Sequence, residues 1–148
     1  MRAAVADDVP AIMEVERTSF EHAGERFGQP RVEYLIASPR AQVFVAESEG
    51  RVVGWAAGFV WLRGKEPWGR LYALAVDPSV RGKKVGARLM HHMLNTLKLL
   101  GAGRIFLEVR PDNDSAIRLY EKSGFAPCRL LHDYYGPGRP AQRMARPA

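Results

Sequence analysis

Cysteine is nearly missing from this chain: Cys128 is the only one in 148 residues. A lone thiol excludes both a disulfide framework and a cysteine-rich metal site. The four histidines offer no substitute. None has metal-ligand spacing, and the adjacent His91 and His92 point to different faces of any helix. No metal is therefore expected. Long hydrophobic runs are also lacking. The longest, "AAGFVWL" and "LYALAV", fall far short of the ~20 residues that a membrane-spanning helix needs. The N-terminal "MRAAVADDVPAIM" breaks any apolar stretch with two acids and a proline, so no signal peptide is expected and a cytoplasmic setting is. Acidic residues are in the minority, 16 against 22 lysines and arginines, for a net charge of +6 and a pI near 9.8. That balance favours an acidic partner: nucleic acid, a phosphorylated ligand or an acidic surface. It also serves plain solubility, and charge alone does not choose.

What is present is an ordinary globular composition, 47% hydrophobic and 26% charged, over the length of one domain, taken as residues 1–148. Asp7 or Asp8 suits an N-cap, Pro10 a first helical turn, and Val9, Ile12, Met13 and Phe20 recur at helical spacing. A second helix is expected over "PRVEYLIAS". "AQVFVAE" and "RVVGWAAGFVWL" read as strands joined by a hairpin turn at "SEG". In the second strand Trp55, Ala57, Phe59 and Trp61 share one face and are expected to be core. "RLYALAVDP" is a third strand stopped at Pro78. From Val85 the pattern turns helical, with Val85, Leu89, Met93 and Leu97 on one stripe and Gly101 as a stop. "RIFLEVR" is a strand, residues 114–122 a helix ending at Gly124, "PCRLLHDYY" a strand and "QRMAR" a last one. Strand, long helix and strand across residues 70–110 form a crossover with parallel strands, whereas the preceding hairpin is antiparallel. The expected fold is α/β, with a mixed sheet of about six to seven strands and helices on both faces.

"DPSVRGKKVGARLM" places Arg81, Lys83, Lys84 and Arg88 around Gly82 and Gly86, where a strand gives way to a helix. The first amides of that helix lack intrahelical acceptors, and the helix dipole adds about half a positive charge. Glycines allow close approach, so a phosphate or pyrophosphate is the natural guest. A nucleotide-triphosphate loop is excluded because G-x-x-x-x-G-K-[ST] is absent. The one G-x-G-x-x-A match, "GPGRPA", holds two prolines and opens no helix.

"LYALAVDPSVRGKKVGARLM", "LEVRPDNDSAIRLYEKSGF", "YYGPG" and the late Met144 together resemble the GNAT superfamily of acetyl-CoA-dependent N-acetyltransferases. The pattern is most similar to the branch acting on protein N-termini, typified by ribosomal-protein-alanine N-acetyltransferases. The resemblance covers nearly the whole chain and is most specific over residues 71–125. It implies a single GNAT-like domain that uses acetyl-CoA. By the family pattern R/Q-x-x-G-x-G/A, the pyrophosphate of coenzyme A is held by Arg81, Gly82, Lys83, Lys84, Val85 and Gly86, with Ala87 following. Lys84 replaces the pattern's middle glycine. A left-handed backbone there would cost lysine roughly 1–3 kcal/mol, so Lys84 is expected to keep an ordinary conformation and point outward. The resemblance lays the pantetheine arm along Leu74, Ala75 and Val76, and makes the Val76 N–H a candidate oxyanion donor.

Glu108 shares a strand face with Phe106 and Arg110, and a carboxylate within an interior strand calls for a partner. An ion pair with Arg110 or with a neighbouring strand would meet that need. The resemblance implies instead a general base that deprotonates the amine. Tyr120 reads as helix core beside Ala116 and Ile117, and by resemblance as the general acid for the departing thiolate. Asn113 reads as a helix cap, and by resemblance as a contact to coenzyme A. Tyr134 and Tyr135 match a pair that lines the acceptor site. After them this chain has Gly138-Arg139-Pro140-Ala141 where the family often has Gly-Glu-Asp-Ala, which leaves the acceptor open: an acidic peptide or another amine. The implied activity is acetyl transfer from acetyl-CoA to a protein or peptide N-terminus, a ribosomal partner being suggested by the branch alone. A small-molecule amine, a lysine side chain and a non-catalytic acetyl-CoA sensor stay open as alternatives. Direct nucleic-acid binding is not expected, because no segment reads as basic residues interleaved with aromatics on one sheet face.

Overall fold

The computed structural model describes residues 1–19 and 27–148. A two-residue strand, β1 (Arg2–Ala3), and a 3-10 turn, Ala6–Asp8, precede helix α1 (Val9–Ser19). Asp8 does not cap α1. Its carboxylate accepts from the Val5 N–H at 2.8 Å and from both terminal nitrogens of Arg2, so it closes the preceding turn. Phe20, expected on the α1 stripe, lies outside the described residues. Helix α2 (Gln29–Ala37) carries Pro30 in its first turn. Strands β2 (Ala41–Ser48) and β3 (Arg51–Arg63) meet at Glu49 and Gly50, both with positive φ, as a two-residue hairpin turn demands. Then come β4 (Glu66–Val76), α3 (Val85–Leu99), β5 (Arg104–Val109), α4 (Asp114–Lys122), β6 (Ala126–Leu131) and β7 (Ala141–Pro147). The strand expected over "PCRLLHDYY" therefore stops at Leu131. Asp133 takes a positive φ and accepts the Gly138 N–H at 2.7 Å, which turns His132 to Pro140 into a loop.

The seven strands form one sheet in the order β1-β2-β3-β4-β5-β7-β6, and only β4 and β5 run parallel. One face packs against α3 and α4, where Leu89, Met93, Leu97 and Tyr120 meet Ala56, Leu71, Ile105, Leu107 and Met144. The other face carries α1 and α2, whose Ile12, Val15, Val32 and Leu35 bury Val45, Trp55, Ala57 and Ala73. Phe59 and Trp61 follow Trp55 and Ala57 on that face but are only half-buried. The strand runs past the helices that cover its first half.

Two irregularities in β4 open the molecule. Ala57 pairs with Ala73 and Gly58 with Leu71, which leaves Tyr72 as the extra residue of a β-bulge. Leu71 consequently faces α3, whereas Tyr72 and Ala73 both face the α1 side. Gly58 permits this crowding, since a Cβ there would lie 2.9 Å from the Arg70 carbonyl and from the Met93 sulfur. The second irregularity is that β4 and β5 pair only at Trp68↔Arg104, Gly69↔Ile105 and Arg70↔Phe106. Beyond the bulge the two strands part, and a cleft opens between them.

Candidate active site

The cleft has a volume of about 1270 Å³ and runs from the N-terminus of α3 to the loop between β6 and β7. At its first end, Asp77 fixes the entry to the basic turn. Its carboxylate accepts from the Ser79 N–H at 2.9 Å and from Arg51 at 2.9 Å. Those bonds, the Ser79 amide first, hold the Asp77 carboxyl below the usual range. The Arg81 N–H then bonds the Pro78 carbonyl and the Lys83 N–H the Val80 carbonyl. Gly82 takes φ +82°. Lys84 takes φ 61° and ψ 22°, the left-handed region, immediately before α3. The expectation of an ordinary Lys84 backbone is thus overturned: the chain must reverse hand to enter the helix, and lysine occupies a position suited to glycine. Among the described residues, the amides of Val85, Gly86 and Ala87 have no backbone acceptor, as the first turn of a helix requires. Arg81, Gly82, Lys84, Val85, Gly86 and Ala87 line the cleft; Lys83 does not.

Between the parted strands, Leu74, Ala75 and Val76 form one wall. The Asp77 N–H donates to the Val53 carbonyl at 2.7 Å, which sets the phase of the antiparallel ladder with β3. Alternation then directs the main-chain groups of Ala75 to Trp55 and those of Leu74 and Val76 into the gap. The Val76 carbonyl accepts from the Ser19 hydroxyl at 3.0 Å, and its N–H faces the opening. Ala75 is the exception among the three, because β3 already uses its polar backbone groups.

Glu108 stands across the cleft on β5, with its side chain 4% exposed. Its partners are two arginines on neighbouring strands, not Arg110, which pairs with Asp112 at 2.6 Å. Arg70 Nε donates to Oε2 at 3.2 Å; Arg143 Nη2 donates to Oε1 at 3.0 Å. Arg143 sits directly opposite Glu108 in the β5–β7 ladder. Both guanidinium groups also stack on Phe106, at 5.8 and 5.0 Å from the ring centre, and Arg70 on Tyr72 at 4.9 Å. A second Arg70 nitrogen donates to the Tyr134 hydroxyl at 2.7 Å. That bond draws the β6–β7 loop toward the carboxylate, and Tyr134 and Tyr135 meet edge-on at 5.0 Å.

Tyr120 belongs to both surroundings at once. Its ring is core, edge-on to Phe125 at 6.2 Å, and the residue also lines the cleft. Burial pushes the phenol up to about 12. Asn113 caps α4 by accepting from the Ala116 N–H at 3.2 Å, and it too lines the cleft.

Several lining residues escaped the sequence reading. Arg118 and Lys122 project from α4 into the cleft beside the basic turn, and their i, i+4 spacing after the Asn113 cap was the available signal. Arg70 and Arg143 carried no local signal, since their link to Glu108 exists only across strands. Phe27 lines the cleft, packs on Trp55 and Tyr72, and donates its N–H at 2.7 Å to Glu16. Glu16 is itself buried at 1% exposure and accepts from Trp55 Nε1 at 3.0 Å. A carboxylate on the Val9–Ile12 stripe was readable as a sign of such a site. Among the described residues, no group of His, Cys, Asp and Glu gathers as a metal site, and no helix is long and apolar enough to cross a membrane.

A family model described as "Acetyltransferase (GNAT) family" matches residues 9–125. The N-alpha-acetyltransferase RimI of Mycobacterium tuberculosis is 36% identical over 101 residues, covering 68% of this chain and 61% of that protein. An N-alpha-acetyltransferase of Sulfurisphaera tokodaii is 34% identical over 116 residues, covering 72% of this chain and 70% of that protein. The match thus spans about three fifths of the first relative and somewhat more of the second. The crystal structure of the ribosomal-protein-S18-alanine N-acetyltransferase from Escherichia coli superposes with a TM-score of 0.83 at 26% identity, covering 99% of this chain and 91% of that one.

Proposed function

The chain belongs to the GNAT acetyltransferase family, and from that premise we propose that it transfers the acetyl group of acetyl-CoA to the N-terminal α-amine of a protein or peptide. The observation that carries this is the parting of β4 from β5, which gathers the basic glycine turn, open main-chain groups, Glu108, Tyr120 and the tyrosine pair along one cleft. Two of the relatives named above act, by their names, on α-amines.

The left-handed turn and the first amides of α3 suit a pyrophosphate, with Arg81, Lys84, Arg118 and Lys122 supplying charge around it. Leu74 and Val76 offer main-chain donors and acceptors to the amide-rich pantetheine arm. Acetyl-CoA supplies an activated thioester. The Val76 N–H faces the gap where the carbonyl oxygen gains charge as the amine nitrogen bonds to the acetyl carbon. Glu108, directly or through water, takes the proton that the attacking amine must lose. Tyr120, whose phenol burial holds neutral at physiological pH, gives a proton to the thiolate as the carbon–sulfur bond breaks. Tyr134, fixed by Arg70, and Tyr135 flank the acceptor. Ribosomal protein as the natural acceptor is suggested by the names of relatives such as the Escherichia coli enzyme.

The test is acetyl transfer, read by mass spectrometry, to peptides with free or blocked N-termini and to common small amines. Acetylation confined to free N-termini is expected; transfer confined to small amines would overturn the acceptor. Glu108→Gln is expected to lower kcat about 10²- to 10³-fold with acetyl-CoA affinity near that of the parent. Unchanged turnover across pH would remove Glu108 as the base.

A further inference from the structure

The sheet face that carries Glu108 continues past the cleft toward the β3–β4 hairpin and the β6 edge. Helices α1 and α2 cover its other half, and none of the described helices covers this one. Arg129 on β6 stands directly opposite Arg143 on β7, which stands directly opposite Glu108 on β5. Like charges facing each other across strands weaken a sheet unless an anion offsets them. Glu108 already takes two of the three arginines around it, Arg70 and Arg143. Four residues along β5 lies Arg104, 5.7 Å from the ring centre of Trp68, with Arg63 4.9 Å from the same ring. Arg63, Arg104 and Arg129 are exposed, and among the described residues none has a carboxylate partner. Among the described residues, the other acid placed here is Glu66, which accepts from Trp68 Nε1 at 3.3 Å.

We propose that this face receives an acidic segment of the acceptor polypeptide, downstream of the amine that becomes acetylated; the proposal rests on the α-amine function above. Four steps along a strand span about 13 Å, the reach of about four residues of extended chain. A peptide whose first residue lies at Glu108 and which runs along β5 therefore brings about its fifth residue near Arg104 and Arg63, with Arg143 and Arg129 flanking its start. Contact with the Trp68 ring pre-orders both outer guanidinium groups for carboxylates, at little entropic cost on binding. A single-stranded nucleic acid would need open ring faces for its bases. Here Phe106 is buried against Trp61 and Trp68, and Trp68 is already stacked by arginine. The face thus interleaves basic and aromatic residues, contrary to the sequence expectation, but in a form that fits carboxylates better than bases.

Peptides sharing a first residue and differing at positions two to six, in acidic, neutral and basic series, are assayed for initial rate of acetylation. The acidic series is expected to show a KM about five- to tenfold below the neutral one. High salt should close that gap. So should the Arg63→Glu/Arg104→Glu double variant, which should keep the parent rate on neutral peptides. Equal KM values for acidic and neutral peptides in the parent protein overturn the acidic-acceptor proposal and leave the α-amine function standing. Acetylation of small amines with no peptide acetylated overturns both. Binding of single-stranded RNA that the double variant loses, read by fluorescence anisotropy and without any peptide preference, also overturns it and reassigns the face to nucleic acid.

Discussion

Lys84 holds a backbone conformation that its side chain disfavours, and replacing it with glycine should separate the needs of the fold from those of the ligand. At φ 61° and ψ 22° the residue sits in the left-handed well, which costs an L-residue roughly 1–2 kcal/mol. Glycine removes that strain but loses more backbone freedom on folding, about 0.5–1 kcal/mol. The difference leaves Lys84→Gly more stable by about 0.5–1 kcal/mol, or about 1–4 °C in Tm for a domain of this size. The same change deletes a cation that lines the cleft beside the first amides of α3. Acetyl-CoA affinity should fall about two- to fivefold, an effect that high salt diminishes. Calorimetry reads both quantities on one preparation: a thermal scan of the free protein and a titration with acetyl-CoA.

Lys84→Ala is the control, because alanine loses the charge yet keeps the strained backbone. It should match the glycine variant in affinity and show no gain in Tm. A lower Tm for Lys84→Gly, or an equal gain for alanine, would refute the account of strain. Unchanged affinity in both variants would instead refute the placement of the phosphates.

Glu16→Ala strands the buried Trp55 Nε1 and the half-buried Phe27 N–H, the first at a cost of about 1–3 kcal/mol and the second at the low end of that range. Tm should fall by about 5–15 °C in a thermal scan. Tyr120→Phe should lower turnover at neutral pH at least tenfold, measured at saturating acetyl-CoA, while stability there stays near that of the parent. Burial raises the folded-state pKa of Tyr120 from 10.0 to about 12, so its neutral form contributes stability below about pH 10 that is lost as pH rises through about 12. Urea unfolding across that window should show the parent losing about 2–3 kcal/mol more than Tyr120→Phe.

The elements and their order were readable because periodicity carries them: the α3 stripe and the residues 114–122 helix appear as expected, as does the parallel crossover flanked by antiparallel strands. What periodicity cannot hold is a change of phase. Nothing local distinguishes "RLYALAV" from a regular strand, so the extra residue at Tyr72 and the parting of β4 from β5 appear only in the register with Gly58 and Phe106. The Glu108 site was visible as a carboxylate in want of a partner. Its partners were not, because Arg70 and Arg143 are 38 and 35 residues away in the chain. The basic turn before α3 was the reverse case. Its charge and glycines are local and were seen at once, but the hand of the backbone at Lys84 is a property of the turn's closure, and side-chain preference pointed the wrong way.

The bulge at Tyr72 links the two ends of the cleft. A regular β4 would go on bonding to β5, and the main-chain groups of Leu74 and Val76 would be spent on the sheet. With the extra residue inserted, those groups stay open to the gap between the strands, while Tyr72 turns to the face opposite α3, where Arg70 stacks on its ring and reaches Glu108. One inserted residue thus sets both the gap between β4 and β5 and the arginine that holds the carboxylate facing it. Moving the bulge along the strand would shift these together, so the donor and acceptor halves of the cleft are coupled through backbone register. Removing Tyr72 should therefore disable acetyl-CoA binding and peptide acetylation alike, whereas Tyr72→Phe, which keeps the backbone and the ring, should spare both.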